Sequence, residues 1–237
     1  MNDLEKYFEN NDKRLIHKWM HYFDIYDKHF ARFRGKEIVV VEIGVFCGGS
    51  LQMWRDYFGK RAKIYGIDIN PQCKKFEEDN IKVFIGSQSD RTFLQELLKQ
   101  LPPIDILIDD GGHTMEQQIV TFEEMYKGIK DGGVYLCEDL HTSYWADFGG
   151  GYKKPDSFIE YSKNFVDDLN AWYSKDPALS VNYVTENTHS VTYYDAVVVM
   201  EKKKKEPPTH RKTGHEHYNP TPGLLSRIKS KLGRMIK

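Results

Sequence analysis

The sequence predicts a doubly wound α/β domain built on a mostly parallel, seven-stranded sheet, with a helical extension ahead of it and a basic tail behind. Two observations carry this. From Lys36 onward, short apolar runs alternate with amphipathic segments, the order expected when each parallel strand is followed by a crossover helix. The runs EIVVVEIGV, AKIYGIDI, IKVFIG, IDILIDD and GVYLCEDL are apolar at successive positions, not at alternate ones, as required of strands covered on both faces.

The elements follow in order. Residues 1–34 read as helical, because Leu15, Ile16, Trp19, Phe23 and Tyr26 recur at spacings of three and four. This segment is expected to form a cover or lid over residues 1–35. The strands come next, with helices expected over Leu51–Phe58, Gln72–Asp79, Asp90–Gln100 and Glu116–Lys130. SVTYYDAVVVMEK supplies two closing strands, one of them antiparallel, and the domain is expected to span residues 36–203. Alternation places Ile104, Ile106, Ile108 and Asp110 on one face of the fourth strand, and Val134, Leu136 and Glu138 on one face of the fifth. A lysine run followed by PPTHRKTGHEHYNPTPG marks residues 204–237 as a linker. Within it, GLLSRIKSKLGRMIK repeats apolar residues at helical spacing among basic ones, the pattern of a helix that lies on an anionic membrane or docks on a partner.

Composition narrows the class. The chain has 237 residues, 40% hydrophobic and 29% charged, which is ordinary for a globular protein. Its net charge of -1 conceals an asymmetry. Residues 201–237 hold eleven Lys/Arg against three Asp/Glu, so the tail carries +8 and the body -9. An acidic body argues against nucleic acid as the partner, although the tail keeps a nucleic-acid methyltransferase or binder as a competing class. The three cysteines, Cys47, Cys73 and Cys137, lack CxxC spacing, which suits a reducing compartment. The first fifteen residues carry charges where a signal peptide has its apolar stretch, so a cytoplasmic location is expected.

Chemistry gathers at the strand ends, where open α/β sheets bind ligands. The first strand ends in VEIGVFCGGS, with Glu42, Gly44, Gly48 and Gly49 in a turn that lets the backbone approach a ligand. It lacks the GxG of a dinucleotide fold. The second strand ends in Asp68, placed to accept ribose hydroxyls, and the third leads into GSQSD. The fourth and fifth end in DDGGH and EDLH, which set Asp110, Glu138 and Asp139 at one sheet end. Gathered carboxylates repel unless a cation neutralises them, and hard oxygen donors suit Mg²⁺, Mn²⁺ or Ca²⁺. His113, three residues past Asp110, is a side-chain type that titrates near neutrality and can take a proton from a hydroxyl.

Together these residues resemble the class I S-adenosylmethionine-dependent methyltransferases. Glu42, Gly44 and Gly48 match the ExGxxxG loop, and Asp68 matches the ribose-binding acid. The resemblance further implies that Gln88 and Ser89 lie near the adenine and that Asp109 lines the cofactor pocket. DDGGHTMEQQ and GGVYLCEDLHTSYW are more specific. They resemble the magnesium-dependent sugar O-methyltransferases of the macrocin and mycinamicin type and the related cephalosporin hydroxylase-like group, over roughly residues 39–145. The resemblance implies Asp110, Glu138 and Asp139 as metal ligands, His113 as general base, and a small-molecule or glycan hydroxyl as acceptor. A homo-oligomer is compatible with it. A catechol-type or other small-molecule O-methyltransferase is the nearest alternative.

Overall fold

A computed structural model describes residues 1–215, and the basic amphipathic segment expected in the tail lies outside that range. Residues Met1–Glu206 form one compact unit, and the remainder from Pro207 forms a second, whose described part carries no helix or strand.

In chain order the first unit contains α1 (Asp3–Glu9), α2 (Tyr22–Phe30), β1 (Val39–Ile43), α3 (Gly49–Phe58), β2 (Lys63–Asp68), β3 (Ile81–Ile85), α4 (Arg91–Gln100), β4 (Ile104–Asp109), α5 (Met115–Met125), β5 (Ile129–Cys137), α6 (Phe158–Asn170), α7 (Tyr183–Asn187), β6 (Thr188–Tyr194) and β7 (Val197–Lys202). The seven strands lie in the order β3-β2-β1-β4-β5-β7-β6. Strands β1 to β5 pair in parallel, and β7 runs antiparallel to both β5 and β6. The expected closing hairpin is therefore present, with one reversed strand. Among the described residues no helix is long and apolar enough to cross a membrane.

Alternation along the strands divides the core into two layers. Val40, Ile64, Ile106, Ile108, Val134 and Leu136 face the layer that also holds α1, α2 and α3. Val41, Ile43, Ile67, Leu107, Tyr135 and Cys137 face the layer with α4, α5 and α6. Burying each such side chain contributes about 1.5–3 kcal/mol, so both covers are needed to hold the sheet. Trp54 and Phe58 of α3 interlock with Tyr26 and Phe30 of α2, which fastens the N-terminal segment to its layer.

Four local expectations are corrected. Residues 10–21 are not helical, apart from a turn at their end; they run as a strap between α1 and α2. Tertiary contacts override the helical spacing here. Arg14 donates to the Phe76 carbonyl and pairs with Glu78, and Leu15 and Trp19 are exposed. The strap also crosses Gly49 so closely that a Cβ there would overlap the carbonyl oxygens of Arg14 and Leu15. Second, Ile104 packs in the layer opposite Ile106 and Ile108, because the β4–β5 register jumps from Ile104↔Ile129 to Ile106↔Val134. Third, the segment expected to be a helix from Gln72 is a short 3-10 turn, Pro71–Phe76, and Glu77–Asp79 lie beyond it. Fourth, the helix expected to reach Lys130 stops at Met125, and Ile129 and Lys130 already belong to β5.

Candidate active site

The sheet topology fixes where the site can be. The chain leaves β1 toward β2 and β3, then returns to β4 on the other side of β1, which opens a crevice at the carboxyl ends of β1 and β4. The register is level at that edge. Gly44 N–H donates to the Ile67 carbonyl (2.8 Å), Asp110 N–H to Ile43 (2.9 Å) and Glu138 N–H to Asp109 (2.9 Å). Asp68, Gly44, Asp110 and Glu138 thus form a row one residue beyond the paired strands. A cavity of about 470 Å³ opens above this row. It is walled by the strap at Leu15–Lys18 and by the loops following β1, β2, β3 and β4.

The glycine-rich turn is shaped by backbone demands. Gly44 has φ +95°, and a Cβ there would overlap the Asp110 carbonyl oxygen. Gly48, at φ +72°, caps α3. Phe46 holds φ +51°, which is unusual for a bulky residue. Asp68 stabilises this turn: its Oδ2 accepts from Val45 N–H (2.9 Å) and Phe46 N–H (3.1 Å), and its Oδ1 accepts from Asn70 N–H (2.8 Å). Gln88 reaches across from the β3 loop, accepting from Gly112 N–H (2.8 Å) and donating to Asp109 (3.0 Å).

Of the residues expected at the cofactor, Gly44, Asp68 and Gln88 line the cavity, while Glu42, Gly48, Ser89 and Asp109 stand behind its wall. Glu42 is fully buried and accepts from Ser50 Oγ (2.6 Å) and Trp54 Nε1 (2.8 Å). Ser89 bonds to Ser87, its neighbour in the same loop. Burial pushes both Glu42 and Asp109 up to about 7.

The strand alternation also decides which carboxylates meet. Glu42 follows Val40, Asp110 follows Ile108, and Glu138 follows Leu136, so all three point to the face covered by the N-terminal segment. That segment places Lys18 among them. Its Nζ contacts Asp110 Oδ2 and lies 2.9 and 3.1 Å from the Glu138 oxygens, with Glu42 at 4.0 Å. Burial opposes the charge of Lys18, but these carboxylates outweigh it and hold its pKa above the usual lysine range. Glu138 also accepts from the Tyr26 hydroxyl (2.7 Å). Burial, reinforced by Asp110, raises the Glu138 carboxyl well above its ordinary value. One ammonium among three carboxylates leaves the cluster short of positive charge.

Closer to the cavity, Asp110, His113 and Asp139 place ligand atoms within 4.8 Å of one another. His113 Nε2 lies 3.4 Å from Asp139 Oδ2 and 3.7 Å from Asp110 Oδ1. His113 Nδ1 is buried without a hydrogen-bond partner. Both His113 (φ +57°) and Asp139 (φ +56°) adopt left-handed backbone conformations, strain of the kind that collects at functional sites. Thr142 Oγ1 donates to both of their carbonyls (2.9 Å each), and Tyr22 donates to Asp139 Oδ1 (2.7 Å). The charge deficit, the clustered oxygen donors and the unpartnered imidazole nitrogen fit a hard divalent cation. Sequence reasoning missed Lys18, Tyr22 and Tyr26. The two tyrosines lie on an amphipathic stretch that announces only burial, and nothing local to Lys18 distinguishes it from a solvated lysine.

Comparison with known proteins agrees with this geometry. A family model described as a methyltransferase domain matches residues 41–140, the stretch from β1 to the loop after β5. Residues 41–140 are a methyltransferase domain. The sheet order and the single reversed strand are those of the class I fold, and the domain superposes on a solved structure of the MycE methyltransferase of mycinamycin biosynthesis with a TM-score of 0.76. That match has 27% identity and covers 97% of this chain and 58% of that one, which is in complex with Mg, SAH and mycinamycin VI. The 8-demethyl-8-α-L-rhamnosyl tetracenomycin-C 2'-O-methyltransferase of Streptomyces olivaceus is 38% identical over 167 residues, 67% of this chain and 43% of its own length. The demethylmacrocin O-methyltransferase of Streptomyces fradiae is 34% identical over 208 residues, 82% of this chain and 52% of its own length. The chain spans about half the length of these curated relatives.

Proposed function

We propose that the chain is a divalent-metal-dependent O-methyltransferase that moves the methyl group of S-adenosylmethionine to a hydroxyl of a sugar or glycoside. The observation that carries this is the placement of the Asp110–His113–Asp139 cluster on the rim of the cavity that Gly44, Asp68 and Gln88 line. The relatives named for methylating glycosides, and the Mg and SAH in the MycE complex, support it. Residues 1–35 act as a cover for the domain, and residues 204–237 as an appended basic segment.

When bound, S-adenosylmethionine supplies a methyl group activated by its sulfonium. Asp68 would hold its ribose, with Gly44 giving it room, Gln88 and Ser89 near the adenine, and Glu42, Gly48 and Asp109 supporting the wall from behind. Asp110, Glu138 and Asp139 would hold the cation, which supplies Lewis acidity that lowers the pKa of an acceptor hydroxyl. His113 accepts that hydroxyl's proton at Nε2 as the oxygen attacks, and the nearby Asp110 and Asp139 carboxylates stabilise the imidazolium that forms. Holding the hydroxyl in line with the methyl group supplies much of the remaining acceleration.

Incubation with radiolabelled S-adenosylmethionine and a panel of glycosides, nucleotide sugars and catechols tests the reading. Label is expected in a glycoside or nucleotide sugar, lost in excess chelator and restored by Mg²⁺. Transfer to catechols alone would assign the chain to the catechol type, and undiminished transfer in chelator would remove the metal from the mechanism.

The ribose assignment has its own test. Asp68→Ala is expected to weaken S-adenosylmethionine binding by about 1.5–3 kcal/mol, the cost of losing hydrogen bonds to a charged group. Calorimetry on the folded variant measures this. Because Asp68 also holds the Val45 and Phe46 amides, Asp68→Asn serves as the milder comparison. Unchanged affinity in Asp68→Ala would overturn the assignment.

A further inference from the structure

Lys18 is the one buried cation contacting the carboxylate row among the described residues, and it comes from the strap. Its side chain is only 2% exposed, and its ammonium lies 5.7 Å from the Tyr26 ring centre. Three features separate it from an ordinary structural ion pair. Its partners Asp110 and Glu138 are two of the three carboxylates that the proposed function assigns to the divalent cation. Glu138 has both oxygens engaged by Lys18, one of them also by Tyr26, so it has little capacity left for a metal. And Lys18 is carried by a non-helical segment that lines the cavity, so its withdrawal need not unravel a helix.

A divalent cation and an ammonium cannot both sit against the same oxygens. The metal needs its carboxylate ligands at about 2.0–2.6 Å with lone pairs free, and two cations that close repel strongly at low dielectric. The alternative to neutralisation, three bare carboxylates packed against an apolar layer, is costly as well. The row therefore has to hold a cation at all times, but not the same one.

We infer that Lys18 is the resident counter-ion of the metal-free site, that it competes with the divalent cation for Asp110 and Glu138, and that metal entry displaces its ammonium from both. This rests on the metal assignment in the proposed function. Its consequence is that metal affinity is set by an exchange with residues 10–21, which also form one wall of the cavity. Loading the metal and reshaping that wall become one event.

Two measurements on the full chain test it, neither relying on turnover. In the first, wild type is labelled briefly with an amine-reactive succinimidyl ester, and the Lys18 peptide is quantified by mass spectrometry. Lys18 is expected to be shielded without metal and to label at least about tenfold faster in saturating Mg²⁺. In the second, Mn²⁺ binding is titrated by electron paramagnetic resonance. Lys18→Met is expected to bind Mn²⁺ at least about tenfold more tightly than wild type, whereas Lys18→Arg, which keeps the charge, stays near it. If Lys18→Met does not fold, the labelling of wild type decides alone. Metal binding with Lys18 still shielded, or a folded Lys18→Met variant no tighter than wild type, overturns the inference and leaves the proposed function standing. Absence of Mn²⁺ binding in both proteins overturns the inference and the metal assignment together.

Discussion

His113→Ala is expected to lower kcat by about 10²–10⁴-fold, the range for removing a positioned general base, with little change in S-adenosylmethionine affinity. A neutral sugar hydroxyl is a weak nucleophile, and the sulfonium donor brings no base. His113 is the group on the page that can take the proton: its Nε2 faces the cavity rim between Asp110 and Asp139, and it sits in a backbone conformation that Thr142 holds in place. Nothing ties it to the Asp68 end of the cavity, so binding and turnover should separate. Steady-state kinetics with the glycoside acceptor, beside calorimetry with the cofactor, measure the two. His113→Asn controls for backbone effects, since asparagine tolerates positive φ better than alanine. If alanine costs turnover and asparagine restores it, the position matters for its backbone and the base lies elsewhere. A His113→Ala enzyme as fast as wild type would remove His113 from the chemistry.

Gly44→Ala is expected to destabilise the fold by roughly 2–5 kcal/mol. About 1–2 kcal/mol comes from forcing a Cβ into a positive-φ conformation. About 1–3 kcal/mol more comes from overpacking, because the Asp110 carbonyl oxygen that it meets belongs to the adjoining strand end and cannot swing away. Gly35 isolates the first contribution. It has φ +69° with nothing within 4 Å of a Cβ, so Gly35→Ala should lose only the conformational part. Urea midpoints at constant slope compare the two variants. Equal losses would show that the contact between the β1 and β4 ends is not tight. A larger loss in Gly44→Ala would show that the turn is held against Asp110, the position where the site needs rigidity.

Much of this fold is legible in the chain. Five apolar runs, each buried on two faces, can only be parallel strands under helices, and their order alternates with amphipathic segments as βαβ units require. Because the runs end in ExGxxxG, Asp68, DDGGH and EDLH, the sequence also places those groups at one edge of the sheet. Local pattern fails where local forces are outvoted. The helical spacing of Leu15, Ile16 and Trp19 is real, yet the strap is not a helix, because Arg14 is drawn to Phe76 and Glu78 and Lys18 to the carboxylates. Ile104 falls off its expected face through a register jump opposite Gly132 and Gly133, which no period-two count can foresee.

The sequence by itself determined which residue types stand at the carboxyl edge, since strand order and hydrophobic run length are local properties with a period of two. The tertiary structure alone decided their partners. Glu42, Asp110 and Glu138 share a face with the N-terminal cover, so a lysine 92 residues before Asp110 and 120 before Glu138 becomes their counter-ion. Charge pairing across such separations follows from how layers pack, and an unpaired carboxylate looks the same in sequence whether a metal, a lysine or water will neutralise it.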